Sequence, residues 1–162
     1  QAFAMVKANK WCSKLSGLKK TKSRPGFKKI IDYCHERDFR LVIVSNGLDF
    51  YIDVILDDAG IRNIEVFAAQ TKFCPEGIKV QYIGPDGNQA TDGLKEIYTK
   101  LFLAEGYRLI CLGNGVSDIY PARLAHHVFA RDDLLHQCTK ENISCTPLTD
   151  FTDVVRGLRL LA

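Results

Sequence analysis

Twice in this sequence a short, unbroken apolar run ends in a glycine-bearing turn and gives way to apolar residues spaced three and four apart. Leu41-Val-Ile-Val44 runs into Ser45-Asn46-Gly47, after which Phe50, Val54 and Ile55 recur at helical spacing. Arg108 to Leu112 runs into Gly113-Asn114-Gly115, followed by Ile119, Ala122, Leu124 and Ala125. A strand that is apolar without alternation must be covered on both faces, and strands alternating with helices supply that cover. The pattern therefore predicts an α/β chain with a doubly wound, Rossmann-like parallel sheet. A third, shorter instance runs from His127 to Ala130, with a helix expected from Asp132 or Asp133 through Leu134, Leu135 and Cys138. Ligands of such sheets gather at the carboxyl ends of the strands, which directs attention to residues 45–49, 113–118 and 131–133.

The remaining segments fit around this frame. Phe27, Ile30, Ile31 and Cys34 mark one face of a helix opened by Ser23-Arg-Pro-Gly26. Ile64 to Gln70 and Ile78 to Ile83 read as two strands of a small β insertion, turned at Cys74-Pro-Glu-Gly77 and closed at Pro85-Asp-Gly-Asn88. Asp92 is placed to cap a helix through Leu94, Ile97, Tyr98 and Leu101 that Gly106 ends, and a last helix is expected between Thr149 and Leu161. With 162 residues, 46% hydrophobic and 25% charged, the chain suffices for one ordinary globular domain. Its apolar runs are strand-sized, well short of the roughly 20 residues that cross a bilayer, so no membrane partner is expected.

Charge is unevenly placed. The first 30 residues hold nine Lys or Arg and no acid, leaving thirteen basic against nineteen acidic residues in the other 132. A basic nucleic-acid arm is one reading. Ala8, Trp11, Cys12, Leu15 and Leu18 keep the spacing of a single helix face without aromatic interleaving, which favours an amphipathic helix and no nucleic-acid partner. Six cysteines without a C-x-x-C pair, several in apolar surroundings, suit reduced thiols and a cytoplasmic setting. No secretory leader is evident, and oligomeric state is not legible.

Three features carry chemistry. Ser45, Asn46 and Gly47 offer a hydroxyl and backbone N–H groups ahead of a helix, a place to hold a phosphate, although such a triplet also makes a plain tight turn. Lys95, just before the second strand, can swing toward the same strand ends or remain a solvated lysine. Asn114 and Asp118, one helical turn apart, offer an amide and a carboxylate oxygen suited to a hard cation such as Mg²⁺, unless Ser117 or Asp118 only caps the helix. The third glycine of a dinucleotide fingerprint is missing, and no G-x-x-x-x-G-K-[ST] occurs.

Taken in order, strand-Ser45-Asn-Gly-Leu-Asp-Phe-Tyr-Ile52, Lys95, strand-Gly113-Asn-Gly-Val-Ser-Asp118 and Val128-Phe-Ala-Arg-Asp-Asp-Leu-Leu135 resemble the haloacid dehalogenase-like phosphohydrolases. Within them the resemblance is to the phosphoserine phosphatase branch. Arg24-Pro-Gly-Phe27, Phe129-Ala-Arg-Asp132 and Asp150-Phe151 are similar to the methionine-salvage phosphatases that act on 2-hydroxy-3-keto-5-methylthiopentenyl 1-phosphate. The resemblance implies a Mg²⁺-dependent phosphomonoesterase working on a small phosphorylated metabolite through an aspartyl-phosphate. It implies that Ser45, Asn46 and Gly47 bind the transferring phosphoryl group, that Lys95 neutralises it, and that Asn114 and Asp118 hold the metal. Other members of the branch act on phosphoserine or nucleotides.

Two departures stand out. The family's nucleophile lies in a D-x-D-x-T loop, and none occurs in these 162 residues. Asn114 also stands where the family usually carries Asp. The expectation is a fragment of a longer reading frame, inactive as given, with 1–23 a remnant of a helical cap and 24–162 a phosphatase core lacking its first strand. The alternative is a non-catalytic phosphoryl-binding or scaffold protein of the same fold.

Overall fold

The computed structural model describes the backbone of Ala2–Val6 and residues 25–161 in full. Among the described residues seven strands form one sheet in the order β4-β3-β2-β1-β5-β6-β7. The strands are β1 (Ala2–Val6), β2 (Arg40–Leu48), β3 (Glu65–Cys74), β4 (Gly77–Gln81), β5 (Arg108–Gly113), β6 (His127–Ala130) and β7 (Thr146–Pro147). All neighbours run parallel except β3 and β4, which form an antiparallel hairpin turned at Gly77, a residue at φ 131° where only glycine is comfortable.

The helices are α1 (Phe27–Glu36), α2 (Asp49–Asp58), α3 (Leu94–Ala104), α4 (Ile119–Leu124), α5 (Asp132–Lys140) and α6 (Phe151–Leu161). They cover both faces. On one face Ile43, Ile110 and Leu112 pack with Ile30 of α1, Ile52 of α2 and Leu158 of α6. On the other, Val42, Val44 and Leu109 pack with Leu94, Tyr98 and Phe102 of α3. Successive residues of β2 thus enter opposite cores, which is why its sequence is apolar without alternation.

Several expectations change. The cap remnant expected over 1–23 does not hold for Ala2–Val6, which pairs in the middle of the sheet with β2 on one side and β5 on the other. A slot between two apolar parallel strands needs a strand to satisfy their backbone groups, and the apolar Ala-Phe-Ala-Met-Val run suits it. The helix face from Ala8 to Leu18 lies outside the described residues. Ser45-Asn46-Gly47 is not a loop, because β2 continues through it to Leu48 with an irregularity between Val44 and Leu48, as the partner strand β3 also continues upward. Asp92 does not cap α3, whose N-cap is Gly93 without a side-chain bond. The third helix of the pattern starts where expected, α5 opening at Asp132 with Arg131 as its N-cap.

Candidate phosphoryl site at the carboxyl end of the sheet

The parallel registers set the level of the candidate residues at the strand ends. Val6 pairs with Ile43 on one side and with Leu112 on the other. Ser45 and Asn114 each stand two residues past those pairs, so they rise to the same level on the strands flanking β1. Adjacent strands are about 4.8 Å apart, which puts β2 and β5 roughly 10 Å apart across the carboxyl end of β1. Ser45 thus stands on one side of that end and the Gly113–Asp118 loop on the other.

Lys95 reaches these strand ends because α3 feeds β5. A helix that precedes a parallel strand runs back along the sheet, so its first turn lies at the carboxyl ends of the strands. Lys95 is in that first turn and is buried, 3% exposed. Its Nζ forms an ion pair with Asp118 Oδ1 and donates to Ser117 Oγ at 3.0 Å. Sequence left a solvated lysine open, and the structure instead turns this ammonium inward. The other oxygen of Asp118 accepts the N–H groups of Asn114 at 3.1 Å and Gly115 at 2.9 Å. The loop is thus folded around its own carboxylate, and Asp118 is buried at 2% exposure.

That fold of the loop needs Gly113. A Cβ added there would meet Asp118 Cβ at 2.7 Å and Leu134 Cδ2 at 2.7 Å, closer than real carbons approach. The glycine admits the carboxylate against the strand end.

The Ser45 side differs from the simple anion cradle expected. Ser45 is buried, and its Oγ accepts the N–H of Gly47 at 3.0 Å, which turns that amide toward the serine. The N-terminus of α2 carries Asp49, whose carboxylate accepts the N–H of Phe50 at 2.8 Å and of Thr71 at 3.2 Å. An acid there repels anions, so the α2 terminus is no phosphate cradle. Ser45 contributes its hydroxyl, and Asn46 is held by Tyr82, whose phenol donates to the Asn46 carbonyl at 3.2 Å. The sequence reads Ser117 only as a possible helix cap and does not single out Tyr82. Ser117 sits beside Asp118 in the glycine loop and instead accepts from Lys95 Nζ; Tyr82 follows a surface hairpin and carries no signal in the sequence.

The donors suit a hard cation in kind, being an amide oxygen at Asn114 and a carboxylate at Asp118, with no thiol or imidazole among them. They are few. Among the described residues no group of three or more His, Cys, Asp or Glu side chains converges. Likewise no helix among the described residues is long and apolar enough to cross a membrane.

A doubly wound parallel sheet with a serine, a buried lysine and a glycine-loop aspartate at its carboxyl end places the chain in the α/β class, and the comparisons with known proteins narrow it. The chain belongs to the haloacid dehalogenase-like hydrolases, whose family model matches residues 7–123. It is 29% identical over 148 residues to the 2-hydroxy-3-keto-5-methylthiopentenyl-1-phosphate phosphatase of Geobacillus thermodenitrificans, covering 89% of this chain and 66% of the relative. It is 26% identical over 166 residues to the phosphatase of the same name from Bacillus mycoides, covering 99% of this chain and 75% of the relative. The chain thus spans just under two thirds of the length of the first of these relatives. In fold it is similar to a probable phosphoserine phosphatase from Vibrio cholerae, with TM-score 0.58 and 11% identity over 83% of this chain and 41% of that one.

Proposed function

We propose that the strand ends between Ser45 and Asp118 bind the phosphoryl group of a small phosphorylated metabolite, as part of a Mg²⁺-dependent phosphomonoesterase. One observation carries this reading: Lys95, a cation buried at the strand ends, is fixed by Asp118 and Ser117 on one side of β1, while Ser45 stands level with Asn114 on the strand flanking the other side. A phosphate dianion approaching there would find a hydroxyl donor and an ammonium in a water-poor site, where each offsets more charge than it would in bulk solvent. Asn114 and Asp118 would hold Mg²⁺, which supplies further neutralisation of the transferring group when bound.

In this account Ser45 orients one phosphoryl oxygen, Lys95 lowers the cost of bringing a dianion close to carboxylates, and the loop amides of Asn114 and Gly115 keep Asp118 in place. Hydrolysis also needs a nucleophile. The sequence holds no D-x-D-x-T, so turnover requires a carboxylate from outside these 162 residues. The methylthiopentenyl phosphate in the names of its relatives supports a short, oxygenated phosphomonoester as the substrate class.

A second reading, a non-catalytic phosphoryl-binding member of the family, is favoured by the composition of β1. Its Ala-Phe-Ala-Met-Val backbone fills the slot between β2 and β5 and carries no carboxylate.

Calorimetric titration of the chain with inorganic phosphate in Mg²⁺ tests the shared claim. Binding weakened about tenfold or more by Ser45→Ala is expected, since a hydrogen bond to a charged group is worth about 1.5–3 kcal/mol. Absence of binding overturns both readings. Turnover of p-nitrophenyl phosphate by the 162-residue chain itself would overturn the requirement for an added carboxylate.

A further inference from the structure

Among the described residues two buried side-chain polar atoms have no hydrogen-bond partner, Tyr33 Oη and Arg131 Nη1. The first is a phenol in the apolar core beneath α1. The second belongs to a charged group at a strand end, where an unpaired donor is costly and calls for an explanation.

Arg131 stands beside the candidate site. Ala130 pairs with Gly113, so Arg131 is level with Asn114 one strand further along the sheet. Its N–H donates to the Gly113 carbonyl at 3.2 Å, and the N–H of Leu134 to the Asn114 carbonyl at 3.4 Å. The strand end bearing Arg131 is therefore tied to the loop that encloses Asp118.

The guanidinium is also held from one side. Nε donates to Asp132 Oδ2 at 2.9 Å and Nη2 to Asp132 Oδ1 at 3.3 Å. Asp132 makes this contact from φ 48°, in the left-handed region. Of the other two non-glycine residues there, Asp38 and Asn142 each follow the end of a helix, where a left-handed residue is an ordinary terminator. Asp132 opens a helix, where no such conformation is needed. Backbone held in a disfavoured region beside a pinned side chain is characteristic of a functional position.

We propose that Arg131 is a specificity-determining residue whose Nη1 donates to a second oxygen on the organic part of the phosphomonoester, a carbonyl or hydroxyl a few bonds from phosphorus. This rests on the phosphoryl-site reading above. The strand count selects the organic part over the phosphoryl group itself. Arg131 lies two strands from β1, roughly 10 Å across the sheet, and the side chain spans only part of that distance. Asp132 fixes the fork so that one donor edge is left for an acceptor the protein does not supply, and a fixed fork loses little freedom on binding.

Calorimetry with ethyl phosphate and with dihydroxyacetone phosphate, both in Mg²⁺, tests the proposal. The first ligand has no oxygen beyond its phosphate and the second carries a carbonyl and a hydroxyl. The wild type should bind dihydroxyacetone phosphate about tenfold more tightly, and Arg131→Met should lose that preference while binding ethyl phosphate unchanged. Arg131→Lys keeps the charge without the fork and should retain only part of the preference, which decides the matter if the methionine variant does not fold. If the wild type binds neither ligand, the phosphoryl-site reading fails. If it binds both equally, or if Arg131→Met keeps the preference, the role of Arg131 is overturned while the phosphoryl site stands.

Discussion

Lys95 and Asp118, twenty-three residues apart in sequence, form an ion pair in which each side chain is only 4% exposed. Removing one partner strands the other charge in a poorly solvated place, and such losses run to about 3–5 kcal/mol. Lys95→Met should lower unfolding free energy by that order in urea titration. Adding Asp118→Asn should recover part of the loss, because the uncompensated carboxylate is then neutral. A double variant as unstable as the two single losses summed would mean that the side chains do not act as a pair.

Gly113 tests the packing that positions this pair. Gly113→Ala would press a methyl group onto Asp118 Cβ and Leu134 Cδ2, each 2.7 Å from the added atom. Overpacking of this kind costs about 1–3 kcal/mol. Thermal unfolding should register the loss, and phosphate affinity should fall as the Asp118 loop shifts. A variant with wild-type stability and affinity would show that the strand end has room to spare.

Asn114→Asp should strengthen the response to Mg²⁺. A carboxylate adds a charge toward the dication where the native residue offers only an amide oxygen, so half-maximal stabilisation by Mg²⁺ should come at about tenfold lower concentration. Melting temperature followed against Mg²⁺ measures this. An unchanged midpoint would remove Asn114 from the metal's ligands.

His127 gives the fold a pH dependence. It is half-buried on β6, with Nε2 3.0 Å from Thr146 Oγ1. Burial, and then the neighbouring His126, hold its imidazole below the ordinary value near 6.5. The unfolded chain therefore takes up this proton before the folded one does. The stabilising contribution is complete above about pH 6.5 and is lost as pH falls from there toward the depressed folded value. Melting temperature should drop between pH 7.5 and 5.5, and His127→Gln should flatten that drop. An equal drop in both proteins would assign it to other groups.

The sequence announces its strands well where burial on both faces forces an unbroken apolar run, as at Leu41–Val44 and Leu109–Leu112. It is less informative at strand ends. Ser45-Asn46-Gly47 has the composition of a turn, and only pairing with β3 carries the strand through it. Lys95 is legible as a candidate through its order in the chain, but its burial depends on a helix running back to the strand ends. Arg131 falls at the expected 131–133 strand end and in the Phe129-Ala-Arg-Asp132 stretch, but the sequence gives it no role of its own; its unpaired donor exists only in three dimensions.

Phosphate is proposed to bind between Ser45 and the Asp118 loop. The structure offers a rival location, a cavity of about 520 Å³ along β3, lined by Asp49, Asp53, Gln70, Thr71, Lys72 and Tyr98 among others. Amide chemical shifts followed by NMR as inorganic phosphate and Mg²⁺ are titrated in distinguish the two most directly. Perturbations centred on Ser45, Asn46, Lys95 and Asn114–Asp118 are expected. Perturbations centred on Asp49–Asp53 and Gln70–Lys72, or none at all, would contradict the assignment.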